Sequence, residues 1–156
     1  MITEIISLIK KYLKLNKVNN NINRTSDKST GIVNVALADL IGKRKKSWKR
    51  IHLDNKYWLC SQEEFQTVVE HNKINEKTYI YDQFDCDNFA FAFKAQVAMN
   101  HNLNNVGIVI DNSGGHAYNV VVFRDGTAKL FEPQTDAWVE PGSAPLYKFD
   151  KGIIII

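Results

Sequence analysis

The sequence predicts an α+β domain, with helices gathered in its first two-thirds and a sheet in its last third. Three observations carry this. The chain opens on apolar residues at three- and four-residue spacing, an aspartate-capped apolar run starts at FDCDNFAFAF, and beyond residue 105 short β-branched runs alternate with glycine turns. A length of 156 residues gives one domain, large enough for a proper hydrophobic core, and no room for a second domain. The expected organisation is therefore a single domain over 1–156, with an amphipathic helix and polar linker over 1–31 and the core over 32–156.

Ile2, Ile5, Ile6, Ile9, Tyr12 and Leu13 define the first helix, and Lys10, Lys11 and Lys14 lie toward its C-terminal end, where the dipole favours cations. Its expected resting place is the domain's own core, with a protein partner as the alternative. Residues 16–30 are rich in Asn, Ser and Lys without apolar period, which reads as a loop. Val33 to Ile41 predicts a second helix closed by Gly42. Tyr57 to Leu59 reads as a short extended piece, and Ser61 with Glu64 forms a capping-box signature for a helix reaching about His71.

The central helix is expected from Cys86 to about Met99, capped by Asp85. Phe89, Ala92, Phe93 and Gln96 share one stripe while Phe91 and Ala95 lie on another, so it should be largely buried. Strands are then expected at 106–110, 117–123, 128–131 and 146–149, separated by NSGG, RDG and PGS, forming an antiparallel sheet. The final Ile153 to Ile156 run would aggregate as a free edge, so it is expected to pair as a last strand.

Charge and cysteine count narrow the function. The formal charge is +3, much of it from Lys43, Arg44, Lys45, Lys46, Lys49 and Arg50. A basic cluster without a readout motif is more often a solvated face than a nucleic-acid site, so nucleic acid is not the expected partner. Two cysteines, Cys60 and Cys86, are too few for a disulfide scaffold and are expected reduced. The first helix, with Glu4 early and lysines late, resembles neither a secretory signal nor a membrane span, which points to a soluble cytoplasmic chain.

Cys86 in the first turn of a helix sits among unpaired N–H groups at the positive end of the dipole, where a thiolate is favoured. The alternative reading is a small buried hydrophobe. A nucleophile needs a base and the base an orienting group. His116 starts the strand HAYNVVVF and Glu132 ends AKLFEP, whereas His52, His71 and His101 fall in polar or helix-end segments. If Arg124, Asp125 and Gly126 form a three-residue turn with Gly126 left-handed, Tyr118 opposes Glu132 and His116 opposes Gln134. All four then share a face, and a two-residue turn would separate them. The apolar continuation of that face is expected to pack on the Cys86 helix.

FDCDNFAFAF, GHAYNVVV and FEPQTD together resemble the papain-like cysteine peptidase C-terminal domain of the Marasmius oreades agglutinin and its phage and bacterial relatives, over roughly Tyr57 to Val139. The resemblance implies a papain-like fold with a buried Cys-bearing helix packed on the sheet. It places the catalytic Cys, His and Glu on Cys86, His116 and Glu132, with an amide-cleaving thiol hydrolase acting on a peptide or protein. Gln83 is the nearest side-chain amide for an oxyanion contact, at an offset that differs from papain's. The resemblance also implies calcium, with Asp87, Asn88, Gln134 and Asp136 as ligands, hard oxygen donors of the kind calcium takes. Asn88 stands where the family tends to carry a second aspartate. The competing expectation is a phage or viral structural or accessory protein, virion-associated, that keeps the fold without needing catalysis.

Overall fold

A computed structural model of the chain describes residues 2–23, 25–27 and 30–156. Helix α1 spans Ile2–Asn21, and strand β1, Thr25–Asp27, follows. The expected loop over 16–30 is thus helix in its first part and strand near its end; Arg24, Lys28 and Ser29 lie outside the described residues. Helix α2 is Thr30–Ile41, and Gly42, at φ +57°, turns the chain into a 3-10 helix, Gly42–Ser47, that carries the first part of the basic cluster, with Lys49 and Arg50 following in the next strand. Strands β2 (Trp48–Ile51) and β3 (Tyr57–Leu59) precede helix α3 (Gln62–His71). The capping box is formed in full: Ser61 Oγ accepts the Glu64 N–H, and the Glu64 carboxylate accepts the Ser61 N–H.

Helix α4, Cys86–His101, closes on Asn102 in the left-handed region. At its start Asp85 and Asn88 form a second reciprocal box, in which Asn88 Oδ1 accepts the Asp85 N–H. The remaining strands are β4 (Val106–Asp111), β5 (His116–Val122), β6 (Ala128–Glu132), β7 (Ala137–Val139) and β8 (Gly152–Ile155). They join β2 in one six-stranded sheet, ordered β2-β8-β4-β5-β6-β7, while β1 and β3 form a separate antiparallel pair.

The expected antiparallel sheet is in fact mixed. Ile153 to Ile155 pair antiparallel with β4 on one side and parallel with β2 on the other, so the isoleucine run becomes an inner strand. Leu146 to Phe149 is not a strand: Pro145–Tyr147 form a 3-10 turn. Its job is to bring Tyr147 and Phe149 back over the sheet.

Alternation along β5 and β6 sends successive side chains to opposite faces. On one face Val121, Phe123 and Phe131 pack with Phe65, Val68 and Val69 of α3 and with Phe89, Phe93 and Val97 of α4. On the other, Tyr118, Val120, Val122 and Leu130 pack with Val33, Ala36, Leu37 and Ile41 of α2 and with Trp48 and Phe149. Burial of so many aromatic and branched side chains on both faces supplies most of the folding drive, about 1.5–3 kcal/mol for each fully buried one.

Candidate functional site

The β5–β6 hairpin sets the geometry. Val122 pairs with Ala128 and Asn119 with Phe131, the Phe123 N–H donates to the Thr127 carbonyl at 2.8 Å, and Gly126 adopts φ +81°. This is the three-residue turn anticipated from RDG, so Tyr118, His116 and Glu132 fall on one face. His116 Nε2 meets Glu132 Oε2 at 2.7 Å, with both side chains almost buried.

Two further donors complete the carboxylate. The Tyr147 hydroxyl donates to Glu132 Oε2 at 2.9 Å, and the Gln134 N–H donates to Oε1 at 3.1 Å. The His116, Tyr118 and Tyr147 rings lie with centroids 5.3–5.7 Å apart. Burial pushes the Tyr147 phenol well above its ordinary pKa, and the Glu132 charge adds to that, so it stays a donor across the usual pH range. Beside this group opens a cleft of about 210 Å³, lined by His116, Glu132, Gln134, Thr135, Leu146 and Tyr147.

The segment that carries Tyr147 is fastened through the Phe149 N–H by Asp111. This carboxylate is 1% exposed yet fully bonded. Its Oδ1 accepts the N–H groups of Ser113 (2.9 Å) and Gly114 (3.0 Å) and the Ser113 hydroxyl; its Oδ2 accepts the Tyr118 hydroxyl (3.1 Å) and the Phe149 N–H (2.8 Å). Asp111 thus ties the β4–β5 turn to the segment that presents Tyr147. Sequence reasoning missed both residues. The D-N-S-G-G run is an Asx-turn signature that could have marked Asp111; for Tyr147 no local signal existed.

Cys86 heads α4 as expected, but α4 packs on the opposite face of the sheet from His116 and Glu132. Asn119, pointing away from that pair, donates to the Ala90 carbonyl of α4 at 3.0 Å. The expectation that the His116 face would pack on this helix is therefore corrected: α2 and the Phe149 segment cover that face. Cys86 is half-buried, is not a lining residue of the cleft, and among the described residues makes no hydrogen bond through its thiol. Cys60, by contrast, is fully buried, and burial drives its thiol up to about 12. Gln83 is exposed, and its N–H closes a turn on the Ile80 carbonyl at 3.0 Å.

The proposed metal ligands are distributed unevenly. Ligand atoms of Asp85, Cys86 and Asp87 lie within 4.8 Å of one another. A hydrogen bond that the protonated Asp87 carboxyl donates to Asp85, together with partial burial and the nearby Asp85 charge, raises the pKa of Asp87. Asn88 has its oxygen engaged in capping. Asp136 sits at φ +53° with a buried, unpartnered Oδ1, and burial raises its pKa against the opposing pull of Lys73.

Residues 29–155 match the family of ricin-type beta-trefoil lectin C-terminal domains, and the chain belongs to that family. Two solved structures are similar to it at 22% identity, each over 82% of this chain. One is a complex of PSL1a with E64, at TM-score 0.63 and 50% of that chain. The other is the Polyporus squamosus lectin bound to the human-type influenza-binding epitope Neu5Aca2-6Galb1-4GlcNAc, at TM-score 0.61 and 49% of that chain. The chain therefore spans about half the length of the structures it matches. No curated protein matches it.

These findings support the lectin side of the fungal-agglutinin resemblance and overturn the function drawn from it. The family is one of lectin C-terminal domains and one neighbour is a lectin; the expected thiol hydrolase acting on a peptide or protein substrate, and the peptidase description with it, is withdrawn. No helix among the described residues is long and apolar enough to cross a membrane.

Proposed function

We propose that the chain works as the C-terminal domain of a carbohydrate-binding protein and that its own ligand contact is the cleft beside His116, Glu132 and Tyr147. The observation that carries this is the convergence of a bonded carboxylate, an imidazole, a phenol and an amide on one small concavity. Saccharides present hydroxyl groups on one edge and C–H groups on a face. Polar groups fixed in direction meet the first, and aromatic rings meet the second. At about 210 Å³ the cleft is smaller than the roughly 300–1,000 Å³ that drug-sized ligands occupy, which favours a single sugar ring.

Fixed hydrogen bonding is what would give such a cleft selectivity. With Nε2 committed to Glu132, the imidazole offers Nδ1, while Thr135 and the Gln134 amide supply further partners at the rim. Titration of this chain alone with a panel of monosaccharides and short glycans, followed by NMR, tests the proposal. The expected result is saturable shifts at His116, Thr135 and Tyr147 for at least one sugar, weakened about tenfold or more in Glu132→Gln, the loss for one charged hydrogen bond. Absence of shifts at the cleft with every glycan, or unchanged affinity in the variant, overturns it.

For calcium, the support is the donor chemistry. Asp87 and Asp136 both have raised carboxyl pKa values, and Asp136 keeps a buried oxygen without a partner, as an acidic group does when a cation would complete it. Asp87 at the head of α4, grouped with Asp85, and Gln134 with Asp136 after β6 would supply the oxygen donors, with Asn88 committed to its cap, and an ion would supply charge neutralisation there.

A further inference from the structure

Helix α1 stands apart from the core that the other helices share. Residues 3–14 are exposed throughout, although Ile5, Ile6, Leu8, Ile9, Tyr12 and Leu13 are large and apolar and each is 46–65% exposed. Over these residues the helix does not bury its apolar side in its own domain, as was expected of it, although its backbone approaches α3 and α4. Just past its end it is fastened by side-chain and backbone contacts. Ile22 is buried with Phe65 and Val68, the Asn23 N–H donates to Glu64 Oε1 at 2.9 Å, and the Asn23 carbonyl accepts from Arg124.

The two sides of α1 differ in kind. At about 100° per residue, the six exposed apolar side chains fall within an arc of roughly 160°, and Thr3, Glu4, Ser7, Lys10, Lys11 and Lys14 fill the remainder. A stripe this wide exceeds a coiled-coil seam. Lys10 and Glu4 flank it, with Lys11 and Lys14 farther round, so the helix carries a net positive charge that a second copy laid along the stripe would repeat and repel. A lipid surface has the opposite requirement: apolar side chains enter the acyl boundary while lysines meet anionic headgroups.

We propose that α1 is an interfacial anchor that lies on an anionic lipid surface, holding the domain beside the membrane. The helix is too polar to span it. This inference is independent of the cleft, and neither falls with the other.

Co-sedimentation of the full chain with phosphatidylcholine vesicles, with and without phosphatidylserine, tests it. The chain should pellet with anionic vesicles and release as salt rises, with much weaker binding to neutral ones. Ile9→Glu should abolish binding while leaving the thermal melt unchanged, because Ile9 is exposed. The double variant Lys10→Gln/Lys14→Gln should lower the partition coefficient roughly twenty-five-fold, from about a fivefold effect per lysine. No binding to anionic vesicles at low salt, or parental binding by Ile9→Glu, overturns the proposal. So does a dimer, seen by light scattering and lost in Ile9→Glu, without vesicle binding; that outcome assigns the face to a second copy.

Discussion

Asp111→Asn should cost about 3 kcal/mol of stability at neutral pH, although the two side chains have nearly the same shape. The amide oxygen can still serve Ser113 and Gly114. The amide nitrogen must then face the Tyr118 hydroxyl, which can turn to accept, and the Phe149 N–H, which cannot. One buried N–H is left opposite a donor, at about 1–3 kcal/mol, and the surviving bonds lose the charge that strengthened them. For a domain of this size each kcal/mol moves Tm by roughly 2–4 °C, so thermal unfolding should fall by about 6–12 °C. The pH dependence gives a second check. Burial pushes the Asp111 carboxyl up, but the Ser113, Phe149, Gly114 and Tyr118 donors outweigh it and set its folded pKa below the ordinary value. A lowered folded pKa means a contribution fully present above the unfolded value of about 4 and lost as pH falls through the folded one. The gap between parent and variant should therefore close in strong acid. A Tm within about 2 °C of the parent at pH 7, or a gap independent of pH, refutes the reasoning.

Gly114→Ala should destabilise at least as much, because a Cβ there would lie 2.1 Å from the Leu146 carbonyl oxygen, which is backbone and cannot move aside cheaply. A parental melting curve would show that the 3-10 turn is looser than its contacts indicate. Asp136→Asn should raise Tm at pH 7, since a carboxyl with a raised folded pKa opposes folding once ionised; the gain should vanish as pH drops below the unfolded value. Asparagine also tolerates φ +53°, so backbone strain should not mask the effect. In the parent, calcium should raise Tm and EGTA reverse it, with the response reduced in this variant; calcium-insensitive melting of the parent would dismiss the ion. Tyr147→Phe removes one donor from Glu132 and should weaken sugar-induced NMR shifts at His116 by about tenfold, a single neutral-to-charged bond, whereas stronger shifts would place the ligand elsewhere.

What the sequence disclosed was local chemistry. Ser61 with Glu64 and Asp85 at the mouth of α4 are read by residue type alone, because a cap acts within one turn. The RDG turn fixed a register sixteen residues wide, from Gly126 to the His116–Glu132 bond, because pairing propagates with a period of two once the turn is known. What stayed hidden depended on distant partners. Nothing in Trp48–Ile51, at the end of a basic cluster, announces a parallel mate at Ile153 to Ile155. Leu146 to Phe149 has the apolar content of a strand, yet Pro145 heads a 3-10 turn there, so the segment curls and delivers Tyr147 to the cleft.

The same alternation that brought His116 and Glu132 together also determined what could not join them on their face. Residues 116, 118, 120 and 122 of β5 share one side; 119 and 121 take the other, and it is Asn119 that bonds α4. A helix packed on the odd-numbered side contributes its apolar length to that core, so the even-numbered side must find another cover. Trp48, Phe149 and α2 provide it near the middle of the sheet, but toward the start of β5 the cover thins to the Tyr147 turn. That thinning is why a cleft exists at this end of the hairpin and why its walls are polar. The carboxylate and imidazole satisfy each other inside, and the remaining ring edge, amide and hydroxyl face a space too small for a chain segment and large enough for a sugar ring.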